Sequence, residues 1–235
     1  MNLAEPVSLP PLLSGEAVAP GQPFARAMAK AALGTDPGLV TWAEDGSVLE
    51  AALVLAPEVA LRDALPVSMA VGLGLADALG ALAPPEVAVH FEWPGTVRVN
   101  GARCGRLRAA ANTADPDAEP DWLVIGLEMR FVPPPQDDPG RNPEETWLHE
   151  EGCAEITPRG LLGSWSRHAL VWINTWTDRG LGPVHEAWRG KTWGLGEPLP
   201  GTDMVFLGLD EHGGQLLRSP EGTTTRPLTD LLEAS

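Results

Sequence analysis

The stretch Val87–Ala111, VAVHFEWPGTVRVNGARCGRLRAAA, constrains the rest of the chain more than any other. Val87, Val89 and Phe91 alternate with smaller or polar residues, the period of a half-buried strand. Pro94-Gly95 marks a turn, since proline presets φ and glycine accepts positive φ. Val97 and Val99 resume the alternation. Asn100-Gly101 is then the strongest two-residue hairpin signal a sequence can carry. Arg103, Cys104, Gly105, Arg106 and Leu107 lead into a third strand, so the segment reads as three short strands with two turns.

Around this centre the chain reads as follows. Residues 1–22 are Pro- and Gly-rich and form an extended arm. Pro23–Leu33 is a short helix with Phe24, Ala27, Met28 and Ala31 at helical spacing and Gly34 at its C-terminal end. Gly38–Ala43 and Val48–Leu55 are strands joined by Glu44-Asp45-Gly46-Ser47. Asp63–Leu82 is a long helix, with Asp63 as its cap and Leu65, Met69, Leu73, Leu79 and Leu82 as its apolar stripe. After the central strands come a polar loop over Asn112–Pro120, a strand over Asp121–Phe131 and a further loop over Val132–Glu145. Thr157-Pro158 opens a second long helix, capped by Thr, with proline in its first turn. Its buried stripe is Leu161, Trp165, Ala169, Trp172, Ile173 and Trp176, and Gly180 ends it. Leu199–Ser235 changes character: Asp203–Leu209, Gly214–Ser219 and Thr223–Arg226 are short strands.

A chain of 235 residues suits one large domain with a small appendage. The formal charge of −16 argues against nucleic acid, which needs Lys and Arg facing its phosphates, and disfavours anionic membranes. No uninterrupted apolar run of membrane-spanning length and no leader pattern are found, so a cytoplasmic protein is expected. Cys104 and Cys153 are too few and too far apart in sequence for a disulfide framework and read as free thiols. His149 and Cys153 are four residues apart, but no second pair is present and no metal is expected.

The central stretch resembles the middle of the biotin and lipoate protein ligase family. In biotin ligases a strand ends in Lys-Trp-Pro-Asn-Asp, and an Asn-Gly turn leads to a strand containing Ala-Gly or Cys-Gly. Here Glu92-Trp93-Pro94-Gly95-Thr96 holds the first place and Asn100-Gly101-Ala102-Arg103-Cys104-Gly105 the second. The octanoyltransferase branch reads Pro-Gly-x-x-Val-Asp-Gly-Ala-Lys-Ile, to which Pro94-Gly95 and Val99-Asn100-Gly101-Ala102-Arg103 lie as close. Ile125-Gly126 resembles the family's Ile-Gly-x-Gly-x-Asn strand, Trp188 its closing helix, and residues 208–217 its small final barrel. The resemblance implies an α+β fold: a mixed sheet of the class II aminoacyl-tRNA synthetase/biotin synthetase type flanked by helices, with a C-terminal SH3-like β-barrel. The implied domains are an arm (1–22), a ligase-like domain (23–193) and the barrel (199–235), packed through Phe206, Leu207, Leu209, Leu216 and Leu217.

The residues that would do the chemistry depart from the family. The arginine-rich adenylate loop between the first two strands is replaced by Glu44-Asp45-Gly46. The lysine of Lys-Trp-Pro is Glu92, a carboxylate that repels phosphate. The helix that opens with Ser/Thr-Thr-Asn in biotin ligases here opens with Gln22-Pro23-Phe24. The second family lysine maps to Arg103 counting from Asn100, and to Ala102 counting back from Cys104-Gly105. Arginine keeps the charge of lysine and not its acid/base role. Octanoyltransferases use a cysteine in the part of the chain where Cys153 stands, and a thiolate beside a fixed cation is a competent acyl nucleophile.

These readings imply a ligase-like protein that has lost ATP-dependent adenylation and keeps ligand or carrier binding. Its ligand contacts would be Trp93, Pro94, Gly95, Asn100, Gly101, Arg103, Cys104, Gly105 and Gly126. Biotin, lipoate or an acyl group is the expected ligand, with a biotinyl or lipoyl carrier domain as partner, and no cofactor is evident; ATP use is not expected. Two alternatives stand beside it. One is an ATP-independent acyltransferase working through a Cys153 thioester, with Arg103 as its second catalytic residue. The other is a true biotin ligase with replaced motif residues.

Overall fold

The computed structural model describes residues 7–134 and 142–233. The first six residues of the expected arm, residues 135–141 of the expected loop and the last two of the C-terminal segment lie outside them. A seven-stranded mixed sheet forms the body. Its strands are β1 (Ser14–Ala17), β2 (Leu39–Glu44), β3 (Val48–Leu55), β4 (Val89–Glu92), β5 (Thr96–Val99), β6 (Ala102–Ala111) and β7 (Leu123–Arg130), in spatial order β1-β2-β3-β7-β6-β5-β4. Only the β1–β2 pair is parallel. The arm thus contributes an edge strand, which its Pro- and Gly-rich composition did not suggest.

One face of the sheet is covered by α3 (Val67–Leu82), α4 (Pro158–Arg179) and α5 (Leu181–Arg189). Buried against them are Leu49, Leu53, Phe91, Val97, Leu107, Ile125 and Leu127. The expected helix over Asp63–Leu82 divides at Pro66 into a short α2 (Leu61–Ala64) and α3, because proline has no N–H to continue the ladder. Asp63 is no cap; its carboxylate lies 3.2 Å from His212. Almost every residue of α3 from Val67 to Leu79 is buried, so it is a core helix and not an amphipathic one. The segment Leu61–Leu82 is long and apolar enough to cross a membrane, yet 78% of its most apolar window is buried inside this fold. Against α3, the crossing of α4 is tight: Trp165 donates its Nε1–H to the Val71 carbonyl.

Helix α4 is capped as its sequence requires, Thr157 accepting from the Gly160 N–H. The stripe expected on it is buried only as far as Ala169; Trp172, Ile173 and Trp176 are half-buried. On the other face lies α1 (Pro23–Ala32), with Phe24, Ala27 and Ala31 against Ala52, Val54, Ala110 and Val124. The C-terminal segment folds as a three-stranded antiparallel sheet, β8 (Val205–Leu209), β9 (Gln215–Ser219) and β10 (Gly222–Arg226), followed by a 3₁₀ turn, Leu228–Leu231. Phe206 and Leu217 pack on Trp93. Leu207, expected at this contact, is 41% exposed, since strand alternation turns it away from Phe206.

Candidate functional site

The site is built on the β4–β5–β6 meander. Asn100 (φ 50°) and Gly101 (φ 94°) adopt the positive φ values of a tight hairpin turn. Asn100 fastens that turn, accepting from the Ala88 N–H and donating to Glu151. The β5–β6 register shifts between Val97 and Arg98, so one extra residue of β6 is accommodated beside Cys104. Cys104, Leu107 and Ala109 point into the core, and Arg103, Arg106 and Arg108 reach out of it.

Arg103 lines a cavity of about 750 Å³ between the meander and the C-terminal sheet. Trp93, Trp193, Met204 and Phe206 supply apolar wall, and Glu92, Arg98, Glu144 and Arg226 supply charge. Arg98 is the hub. Its side chain is 5% exposed, pairs with Glu92 at 2.9 Å, donates to the Gly101 carbonyl and stacks on the Trp193 ring at 4.8 Å. Arg226 lies over the Trp93 ring at 4.7 Å, and Trp93 donates its Nε1–H to the Gly213 carbonyl. Arg103 is held more loosely, 3.6 Å from Glu92 and 3.9 Å from Glu144, and half of its side chain is open. A buried arginine with full partners orders the wall, whereas one at long-range distances keeps donors for a ligand.

Further along the same sheet the space is filled. Phe24 lies over Gly126, where a Cβ would come within 2.6 Å of the ring, and the Arg108 guanidinium lies over the Phe24 ring at 4.2 Å. About 10 Å³ remains between Phe24, Glu50, Arg108, Gly126 and Glu128, at most the room for one water. Arg106 pairs with Glu128 at 2.9 Å. Arg108 holds Glu233 with two parallel hydrogen bonds of 2.6 and 2.5 Å.

Both cysteines are buried. Cys104 Sγ lies 3.5 Å from the Arg130 carbonyl, and burial pushes its thiol up to about 12. Burial first, then Glu151 and Glu86, raise the Cys153 thiol as well. Cys153 is 1% exposed and does not line the cavity that Arg103 faces. Among the described residues no three His, Cys, Asp or Glu side chains are grouped to hold a metal ion.

Of the candidate ligand residues, Trp93, Gly101 and Arg103 meet at the large cavity. Gly126 lies under Phe24, and Gly95 lies under Leu231, whose Cδ1 is 2.8 Å from where a Cβ would stand. Gly105 permits close strand approach, its Cβ position being 2.3 Å from the Glu128 carbonyl oxygen. Asn100 and Cys104 serve the turn and the core, and Pro94 forms a cis peptide with Trp93. Sequence reasoning missed Arg98, Trp193, Arg226 and the Arg108–Glu233 pair. Only Arg98 left a trace, as a charge at a buried strand position in Thr96-Val97-Arg98-Val99.

A model of the biotin/lipoate A/B protein ligase family matches residues 9–190. A biotin–[acetyl-CoA-carboxylase] ligase of Paracoccus denitrificans is 27% identical over 197 residues, covering 81% of this chain and 82% of that one. A crystal structure of a biotin protein ligase-like protein of unknown function from Silicibacter sp. TM1040 superimposes with a TM-score of 0.90 at 51% identity, over 97% of this chain and all of that one. Biotin protein ligase from Aquifex aeolicus, in complex with biotin and ATP, shares the fold with a TM-score of 0.68 at 16% identity, over 92% of this chain and 95% of that one.

Proposed function

The chain belongs to the biotin/lipoate A/B protein ligase family, and from that premise we propose that it binds a small biotin-like or acyl carboxylate beside Arg103 without activating it on ATP. The observation that carries this reading is the β2–β3 connection. The Asp45 carboxylate accepts from the Ser47 N–H (2.9 Å), the Ser47 hydroxyl (2.8 Å) and the Val48 N–H (3.0 Å). Those bonds hold its pKa below the usual carboxylate range, so it is anionic. Glu44 beside it is paired with Arg159. The turn spends its donors on its own acid and offers no arginine. A further carboxylate, Glu92, stands where the family motif carries lysine. Glu92 is already paired with Arg98 at 2.9 Å and brings no cation of its own to a phosphate there.

Binding is a different matter. The cavity is within the volume that small-ligand sites occupy, and it combines aromatic wall with one incompletely engaged cation. The Paracoccus relative is named for a carboxylase substrate, and a biotinyl or lipoyl carrier domain is the corresponding partner here. No observation favours acyl transfer through Cys153, whose sulfur is buried with a raised pKa.

The test has two arms. Calorimetric titration of biotin, lipoate and octanoate should detect binding that Arg103→Ala weakens at least about tenfold, the loss of one charge-assisted contact. Incubation with ATP and each acid should release no pyrophosphate above a protein-free control. Steady pyrophosphate release would establish a working ligase and overturn the proposal.

A further inference from the structure

We propose that the seam between the helices and the C-terminal sheet is a docking groove for an extended segment of a partner protein, with a lysine at one end of that segment and apolar side chains at the other. The seam opens into three cavities in a row. The first, about 540 Å³, lies between the loop after β3, the end of α4 and the β8–β9 turn. The second, about 550 Å³, shares Leu181 and Glu211 with the first. The third, about 260 Å³, shares His185, Arg189 and Leu209 with the second. Cavities with common walls form one groove. It is larger than the roughly 300–1,000 Å³ of a small-ligand site, and its run along the seam suits a chain. None of its lining residues belongs to the cavity that Arg103 faces.

The two ends of the groove differ in chemistry. In the first cavity Pro57, Val59, Pro66, Trp176 and Leu181 make an apolar floor, with Glu58, Asp63 and Glu211 around it. No lysine or arginine lines this end. His212 is its one basic group, 3.2 Å from Asp63 and 3.7 Å from Glu211. Carboxylates over an apolar floor complement a lysine, whose methylene stem packs on the floor while its ammonium reaches the acids. In the third cavity Leu195, Leu207, Leu209 and Leu216 form the wall, and the fixed charge is Arg189. A cation would be repelled there, so apolar side chains fit that end. Val59 and Leu207, both 41% exposed, stand at opposite ends of the groove, where a docked segment covers them. The apolar wall supplies most of the affinity, because the acids face water and each ion pair adds little. The acids fix which end of the segment goes where.

The probes are the peptide acetyl-Lys-Leu-Thr-Leu-Thr-Leu-amide and its reverse sequence, because the charge pattern sets which end carries lysine and not the chain direction. Norleucine in place of lysine gives the neutral control for each. Calorimetry should show a lysine peptide binding about fivefold tighter than its control. Glu58→Gln combined with Glu211→Gln, both at exposed positions, should bring the two within about twofold of each other. Leu207→Ser, at the other end, should weaken both. In the unmodified chain the bound peptide should slow hydrogen exchange over residues 205–216, a readout that needs no variant to fold. The proposal is overturned if neither lysine peptide binds saturably, if lysine and norleucine peptides bind equally, or if the lysine preference survives the two glutamate substitutions. Protection confined to the surroundings of Trp93 and Arg103 overturns it as well. So does self-association of the chain alone that Leu207→Ser abolishes in sedimentation, which would assign the groove to a second copy.

Discussion

Two glycines of α3 should respond to the same substitution with opposite signs. In a helix interior, Gly→Ala gains about 0.8–1.0 kcal/mol of intrinsic propensity. At Gly80 a Cβ would meet nothing within 4 Å, so Gly80→Ala should stabilise by about 0.5–1 kcal/mol. At Gly74 the Cβ would stand 2.5 Å from both the N and the Cα of Ala169, backbone atoms of α4 that no rotamer can move. Relief requires the two helices to part by about 1 Å, and a gap of that size forfeits a quarter to a half of each dispersion contact along the crossing. Overpacking of this kind costs about 1–3 kcal/mol and here recruits the whole α3–α4 interface, so the upper half of the range applies. Net of propensity, Gly74→Ala should destabilise by about 1–2 kcal/mol. Urea unfolding followed by tryptophan fluorescence reads both, and a thermal melt should separate the variants by about 3–12 °C, at about 2–4 °C per kcal/mol. A Gly74→Ala chain as stable as Gly80→Ala would refute the claim that backbone approach, not propensity, governs this helix.

Three further outcomes are expected. With its pKa pushed up to about 12, Cys104 is thiolate in only roughly one part in ten thousand at pH 8, so the folded chain should resist iodoacetamide at both cysteines and react fully once unfolded, as mass spectrometry would show. Arg108, through its hydrogen bonds, holds the Glu233 carboxyl below its ordinary value, so its stabilising contribution is full above the unfolded pKa and is lost as pH falls through the folded one. The stability difference between the unmodified chain and Glu233→Gln should therefore shrink on acidification, read as converging urea midpoints. Removing the α4 cap with Thr157→Ala should cost about 1 kcal/mol in the same assay.

What could be read in the sequence was local. Asn100-Gly101, Thr157-Pro158, Gly180 and the acidic turn at residues 44–47 each state their geometry in two to four residues, and the fold has each of them as expected. What escaped was long-range. Phe24 over Gly126 and Glu233 on Arg108 join positions more than a hundred residues apart, and no periodicity announces them. The choice between Ala102 and Arg103 was open because it turns on a bulge, which inserts a residue without any composition signal of its own. Asp63 had every mark of a helix cap, but the helix begins two residues before it, at Leu61, with Ala60 at the cap position.

The pairing of β3 with β7 has a consequence of its own. Every other antiparallel contact in the large sheet joins strands that follow one another in the chain, so a turn or a short connection helps to fix which residue faces which. Val48–Leu55 and Leu123–Arg130 have no such guide, because α2, α3 and three strands intervene. Their alignment rests on side chains alone. Leu49, Ala51 and Leu53 face the helices with Met129, Leu127 and Ile125 opposite them, while Glu50 and Glu128 share the other side. A slip of either strand by one residue would drive its carboxylate into the apolar layer. The acids that look like a ruined binding surface thus act as alignment pins for the seam between the two halves of the protein, and restoring apolar residues at Glu50 and Glu128 would remove the penalty that keeps the halves in step.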